Sequence, residues 1–271
     1  MAEENGKNFI RRLIHRYQDG TLRQLEDRIT TERPLHVEIN GQEFITLLCT
    51  PVRRKELTAG FLFSEGFVRE PTQIRGLDLY EKEDRINVTL TGIDFNLEDR
   101  TRKITLTSGC GRGTILCDVM DALNLGRADP GHTFAPEKIL DRMRELERCS
   151  STYLATGGTH SAALTDGERL WAFAEDIGRH NAVDKVLGAC FLDGTPTDDK
   201  ALLASGRISS EIIMKAGRSR CPLLVTRAAP TDQVVRIAET LRITLIGFAR
   251  GKRMNIYTCP ERVLGGKYIE K

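Results

Sequence analysis

Nowhere in the chain do two cysteines stand in a C-x-x-C pair, so the common ligand spacing of a structural zinc site is missing. The seven cysteines are odd in number and irregularly spaced, which argues for free thiols in a reducing compartment and against a disulfide framework. An excess of one charge is missing too. The 40 basic residues meet 38 acidic ones for a net charge of +2, so bulk electrostatics point to neither nucleic acid nor a membrane surface as partner. No apolar run approaches the ~18 residues that span a bilayer. The first twenty residues, MAEENGKNFIRRLIHRYQDG, are charged throughout and lack the apolar core of a secretion signal. Repeats and low-complexity tracts are absent. The expectation is a cytoplasmic protein of ordinary globular composition, 40% hydrophobic over 271 residues, with one large or two modest domains.

What is present divides into two rhythms. The first half reads as α+β. RPLHVEINGQEFITLLCT is two alternating runs joined by Asn40-Gly41, a strong two-residue hairpin signal. An amphipathic helix follows over 53–64, with Leu57, Phe61 and Leu62 on one face. RINVTLTG and RKITLT read as further strands, and residues 124–136 form a turn-rich connector. Pro136 then opens a helix at its favoured first-turn position. In the second half a hairpin turns at Asp166-Gly167, and strands ALLA, PLLVT and ITLIGF alternate with helices. That alternation predicts βαβ crossovers and a partly parallel sheet covered by helices. The expected division is an N-terminal α+β domain over 1–107, a loop, helix and connector over 108–135, and an α/β domain over 136–271.

Arginines recur where the strands of the second half end. LWAFAED is followed by Gly178-Arg179-His180-Asn181, ALLA by Ser205-Gly206-Arg207, and PLLVT by Arg227-Ala228-Ala229-Pro230. Ligands of open α/β sheets bind outside the carboxyl ends of the strands, where helix N-termini offer free N–H groups and partial positive charge. An arginine at each end suits a phosphate or pyrophosphate, because its fork binds oxyanions bidentately. A fourth cluster, GFARGKR, adds an aromatic that can stack on a base, Phe248, to Arg250, Lys252 and Arg253. Nucleotide, pterin and sugar phosphate all fit this pattern. His160, after two glycines, is a candidate acid/base group or ligand contact, and His180 sits at a helix start beside Arg179.

One thiol stands apart. In TSGCGRG, Cys110 lies between Gly109 and Gly111, with Arg112 two residues on and a helix expected over 114–123. Flanking glycines permit unusual backbone angles and the close approach of another molecule, while a nearby cation and a helix N-terminus favour the thiolate. Cys110 is therefore the candidate catalytic residue. Cys49, Cys149, Cys190 and Cys221 lie in or beside apolar runs and read as core, while Cys117, seven residues after Cys110 on the new helix, reads either as core or as a redox partner of Cys110.

Three stretches together resemble the formate dehydrogenase accessory sulfurtransferase (FdhD/NarQ) family: GTHSAALTDGERLWAFAEDIGRHNAVDKVLGA, LLASGRISSEIIMKAG and RAAPTDQVVRIAETLRITLIGFARGKRMNIYT. The string EDIGRHNAVDK carries most of the specificity, and PVRRKELTAGFLFSEGFV and TSGCG extend the similarity through the first half. The resemblance implies that residues 136–271 form a cytidine-deaminase-like three-layer α/β domain. It implies a cytoplasmic homodimer that takes sulfur from a cysteine desulfurase as a persulfide on Cys110. The sulfur would go to a molybdenum bis(molybdopterin guanine dinucleotide) cofactor, bound as substrate before it enters formate dehydrogenase. The guanine dinucleotide would be met by Phe248, Ala249, Arg250, Gly251, Lys252 and Arg253, with Arg179, His180, Arg207 and His160 as further contacts and GDP as a fragment ligand. No metal-ligating set belongs to the protein itself. The zinc-deaminase signature is missing, since His160 is followed by Ser161-Ala162 and there is no P-C-x-x-C. One departure bears on chemistry: where the family loop usually carries a second cysteine, this chain has Gly113. The alternative is a chaperone that binds the molybdenum cofactor without persulfide chemistry.

Overall fold

The computed structural model describes residues 8–92, 125, 128 and 131–263. Cys110, Cys117, Gly113 and the elements expected over 102–107 and 114–123 lie outside the described residues.

The chain begins with a hairpin of two ten-residue strands, β1 (Phe9–Gln18) and β2 (Thr21–Thr30), turning at Asp19-Gly20. A second hairpin follows, β3 (Arg33–Ile39) and β4 (Gln42–Cys49). Asn40 and Gly41 between them both take positive φ, 50° and 81°, the geometry whose twist matches paired strands. Helix α1 (Arg54–Ser64), β5 (Ile74–Tyr80) and β6 (Arg85–Leu90) complete a four-stranded sheet of order β4-β3-β6-β5. Alternate residues Leu35, Val37, Ile39, Ile86 and Val88 turn inward and meet Leu57 and Leu62 of α1.

After α2 (Pro136–Cys149) and the short α3 (Ser151–Thr156) comes the larger unit. Its elements are β7 (His160–Thr165), β8 (Leu170–Asp176), α4 (Arg179–Asp193), β9 (Ala201–Ala204), α5 (Ser210–Arg218), β10 (Leu223–Thr226), α6 (Asp232–Leu241), β11 (Thr244–Arg250) and β12 (Arg253–Ile256). The sheet order is β12-β11-β10-β9-β7-β8, with β9, β10 and β11 parallel and β7 and β12 reversed. Side chains of opposite parity feed opposite faces. Leu202, Leu224 and Leu245 pack with α4, α5 and α6, while Leu203, Val225 and Ile246 pack with Ile139, Met143 and Leu146 of α2. The unit is thus three-layered, α2 on one face and three helices on the other; the parallel, helix-covered sheet is what the alternation of strands and helices predicted, and the three layers are what the resemblance implied. No helix among the described residues is long and apolar enough to cross a membrane.

The two sheets are joined through α1 and α4. Phe191 of α4 enters the core of the four-stranded sheet, with its ring stacked on Phe63 at 4.7 Å. Gly60 and Gly188 let the two helices meet backbone to backbone. A buried ionic cluster seals the seam. Lys215 of α5 donates to Asp184 at 2.9 and 3.0 Å and to Glu65 at 2.8 Å, and Ser64 donates to Asp184 at 2.6 Å. Burial pulls the Lys215 ammonium down, but Asp184 and Glu65 more than offset it and hold the group above the ordinary lysine range.

Candidate site at the carboxyl edge of the sheet

Because β8, β9, β10 and β11 run the same way and β7 and β12 run against them, one sheet edge collects several termini. There the carboxyl ends of four strands meet the starts of β7, at His160, and of β12, at Arg253. Helices α4, α5 and α6 open from this edge. Neither Gly178 nor Ser209, which precede α4 and α5, caps its helix with a side chain, whereas the Thr231 hydroxyl accepts from the Val234 N–H at 3.5 Å. The topology therefore brings Arg179, His180, Arg207 and the 248–253 segment to one mouth, as their positions after strand ends led one to expect, and adds His160 from the start of β7.

Within the mouth the side chains differ in how far they are already used. His160 and Arg179 flank Gly206 closely: a Cβ added there would lie 3.2 Å from His160 Nδ1 and 3.3 Å from Arg179 Cβ. The Arg179 Nε is buried and has no hydrogen-bond partner among the described residues. Burial, then the charges of Arg179 and His180, push the His160 imidazolium below its ordinary range, so the ring is neutral at pH 7. His180 is engaged with the start of α5, its Nε2 2.9 Å from the Ser209 hydroxyl and 3.3 Å from Glu211. Arg207 is exposed. Arg227, a member of the arginine series, is half taken up by a 3.0 Å ion pair with Glu147.

The 248–253 segment curls at the end of β11, where the pairing with β12 slips between Gly247 and Arg250. Phe248 adopts φ 52°, its N–H donates to the Ala228 carbonyl at 3.2 Å, and Arg250 lies over its ring at 5.9 Å. Arg250, Lys252 and Arg253 are exposed. The Ala249 side chain is in the core, so that residue can meet a ligand only through its backbone. The Gly251 carbonyl accepts from Arg144 at 3.3 Å.

Several residues that shape the mouth were not singled out in sequence. Glu175 accepts from the backbone N–H groups of Thr152 and Tyr153 at 2.9 and 2.8 Å and from Thr159 at 3.0 Å, and so fixes α3. Ser150 and Ser161 share a 2.6 Å bond, and the Ser161 N–H donates to Ser205 at 2.9 Å. With His160, Tyr153 and Arg227 these serines line a cavity of about 220 Å³. Asp176 is the hub beneath. One of its oxygens accepts from the Gly178 N–H at 3.0 Å and from Asn181 at 2.9 Å. The other accepts from the Thr50 N–H at 3.0 Å, from its hydroxyl at 3.1 Å and from Lys185 at 2.7 Å. Asp176 and Lys185 are both 0% exposed. A buried pair this well hydrogen-bonded holds the start of α4 in one place and links it to the end of β4 through Thr50. A lysine inside the apolar run of α4 was the signal in the sequence.

The three buried cysteines among the described residues are poor nucleophiles. Burial raises Cys49 and Cys221 to about 12 and Cys190 to about 11. Cys149 is exposed, contrary to the core position expected for it: Ile139, Met143, Leu146 and Ser150 take the inward face, and α2 ends with Cys149 turned outward. Among the described residues, no group of three or more His, Cys, Asp or Glu side chains is placed to hold a metal.

Fold and mouth define a class: a three-layer α/β protein with a basic, serine-lined opening at the carboxyl edge of its sheet. The FdhD/NarQ family profile matches residues 30–264. The chain is 40% identical to the Sulfur carrier protein FdhD of Bacillus licheniformis over 260 residues, covering 95% of this chain and 98% of the relative. It is 39% identical to the protein of the same name in Bacillus subtilis, covering 96% and 99%. A crystal structure from Desulfotalea psychrophila, provisionally described as a formate dehydrogenase accessory protein, superposes with a TM-score of 0.76 at 25% identity, covering 94% of this chain and 99% of that one. The chain belongs to the FdhD/NarQ family.

Proposed function

We propose that this chain is a sulfur carrier in the maturation of formate dehydrogenase, carrying sulfur as a persulfide on Cys110 to a molybdenum centre held by two pterin guanine dinucleotides. The donor is a cysteine desulfurase. The Cys110 thiolate attacks the outer sulfur of the donor's persulfide, forming the Cys110 persulfide and releasing the donor's thiolate. The names of the relatives support the carrier role. For the ligand, the reading rests on one observation: the Arg179 Nε, buried without a partner among the described residues at the start of α4, whose N-cap Gly178 supplies no side-chain cap. Leaving such a donor unmet costs ~1–3 kcal/mol, and a phosphate oxygen at a helix N-terminus removes that cost. A neutral His160 and the serine hydroxyls add hydrogen-bonding groups without further charge. Arg250, Lys252 and Arg253 supply the rim.

Titration calorimetry with GDP, the guanylated end of that substrate, tests the placement. Wild type binds, and Arg179→Ala and Arg253→Ala each weaken binding tenfold or more, about 1.4 kcal/mol. Unchanged affinity in both variants removes the mouth as the site. Gly113 favours a second reading, in which the same ligand is held with no persulfide step. It shares the GDP result and differs in sulfur labelling.

A further inference from the structure

The cavity at the mouth differs in charge from its rim. Among the described residues that line it, two side chains are ionised: Glu147, near the end of α2, and Arg227, just past β10. They cancel, meeting at 3.0 Å between Arg227 Nε and Glu147 Oε1. His160 beside them is neutral. The hydroxyls behind are already committed, Ser150 to Ser161 at 2.6 Å and Thr159 to Glu175 at 3.0 Å. A carboxylate in the lining repels phosphate, so phosphates belong with Arg179 and the rim, and the cavity suits an uncharged polar group.

The ion pair shows what that group must offer. Glu147 and Arg227 are each 39% exposed, so both keep part of their polar edge open. A carboxylate only accepts hydrogen bonds and a guanidinium only donates them. Side by side, they complement a flat heterocycle whose edge carries donors next to acceptors. Guanine has that edge: the N1–H and N2 amine donate, while O6 and N7 accept from an arginine fork. Adenine lacks the N2 amine and turns a bare nitrogen toward the carboxylate where guanine has its N1–H. The pair also borders the segment that carries the stacking aromatic. Ala228, next after Arg227, accepts from the Phe248 N–H at 3.2 Å. Arg144, one turn before Glu147 on α2, donates to the Gly251 carbonyl at 3.3 Å.

We propose that Glu147 and Arg227 select guanine over other purines, Glu147 accepting from the N1–H and the N2 amine and Arg227 donating to O6. This rests on the guanylated ligand proposed above and names the residues that choose its base. Titration calorimetry of the full chain with GDP, IDP and ADP tests it, since IDP differs from GDP only by lacking the N2 amine. Wild type binds GDP about tenfold or more tightly than IDP, and ADP more weakly still, because a site built around a donor rejects the analogue without it. Glu147→Gln has one acceptor oxygen in place of two, and its preference for GDP over IDP shrinks to about threefold or less. An ion pair this exposed adds little to stability, so that variant keeps the wild-type melting temperature. Arg179→Ala weakens both nucleotides alike and preserves the preference. Equal binding of GDP and IDP by wild type overturns the proposal and leaves the ligand reading standing. So does a Glu147→Gln protein with the full preference. A wild type that binds neither nucleotide overturns both.

Discussion

Replacing Gly60 by alanine sets helix propensity against packing, and the structure decides the sign. In an exposed helix the change gains about 1 kcal/mol, because alanine loses less backbone entropy. Here a Cβ on Gly60 would lie 1.8 Å from the Asp184 carbonyl oxygen and 2.8 Å from the Gly188 N, both backbone atoms of α4. Neither can rotate aside, so α1 and α4 must part by about 1 Å, which forfeits up to half of the contact energy along the seam. Overpacking costs about 1–3 kcal/mol, and a clash of backbone with backbone puts this site at the upper end, ~3 kcal/mol. The separation also stretches the Ser64–Asp184–Lys215 bonds that cross the same seam. The expected net loss is about 2 kcal/mol, or roughly 4–8 °C in melting temperature for a chain of this size. Gly188→Ala gives the same sign, since its Cβ would lie 1.9 Å from the Glu56 carbonyl oxygen. The two together cost less than their sum, because the helices part only once. Urea denaturation followed by circular dichroism measures this. A Gly60→Ala protein as stable as wild type, or more so, refutes the argument.

Two further outcomes follow from the charge state of buried groups. His160 titrates below its ordinary 6.5, so between those two values the unfolded chain binds more protons than the folded one. Stability is full above about pH 6.5 and falls as pH drops below it, and His160→Gln flattens that limb. The C2 proton of His160, followed by NMR, should titrate below 6.5, and a value above it would reverse the assignment. The thiols of Cys49, Cys190 and Cys221, at about 12, 11 and 12, resist iodoacetamide in the folded protein while exposed Cys149 reacts. Peptide mapping checks this, and modification of the three at the rate of Cys149 would contradict it.

The parts of the fold that could be read from sequence were those set by local chemistry. Asn40-Gly41 and Asp166-Gly167 announce their turns because few residue pairs tolerate those backbone angles. ALLA and LLVT are buried on both faces, so they appear as short apolar runs, and their alternation with helices implies parallel strands. The hairpin β1–β2 gave no such signal, because neither of its faces is buried along its length and charges fall on both. At the mouth, topology alone predicted which loops converge. It did not predict which arginine is spent: Arg227 pairs with Glu147 while Arg179 keeps an Nε unmatched among the described residues, and both outcomes depend on side chains distant in sequence. Asp176 and Lys185 belonged to the string most specific to the family, yet composition alone reads charged residues as surface, and only the fold encloses them.

The account turns on one sulfur atom at one position. The purified chain is incubated with a cysteine desulfurase and cysteine, and its peptides are weighed without reduction. The peptide carrying Cys110 should gain about 32 Da, lost again on treatment with a thiol, and Cys110→Ala should carry no labile sulfur. Sulfur retained in Cys110→Ala, or found on another cysteine of the wild type instead, contradicts the assignment.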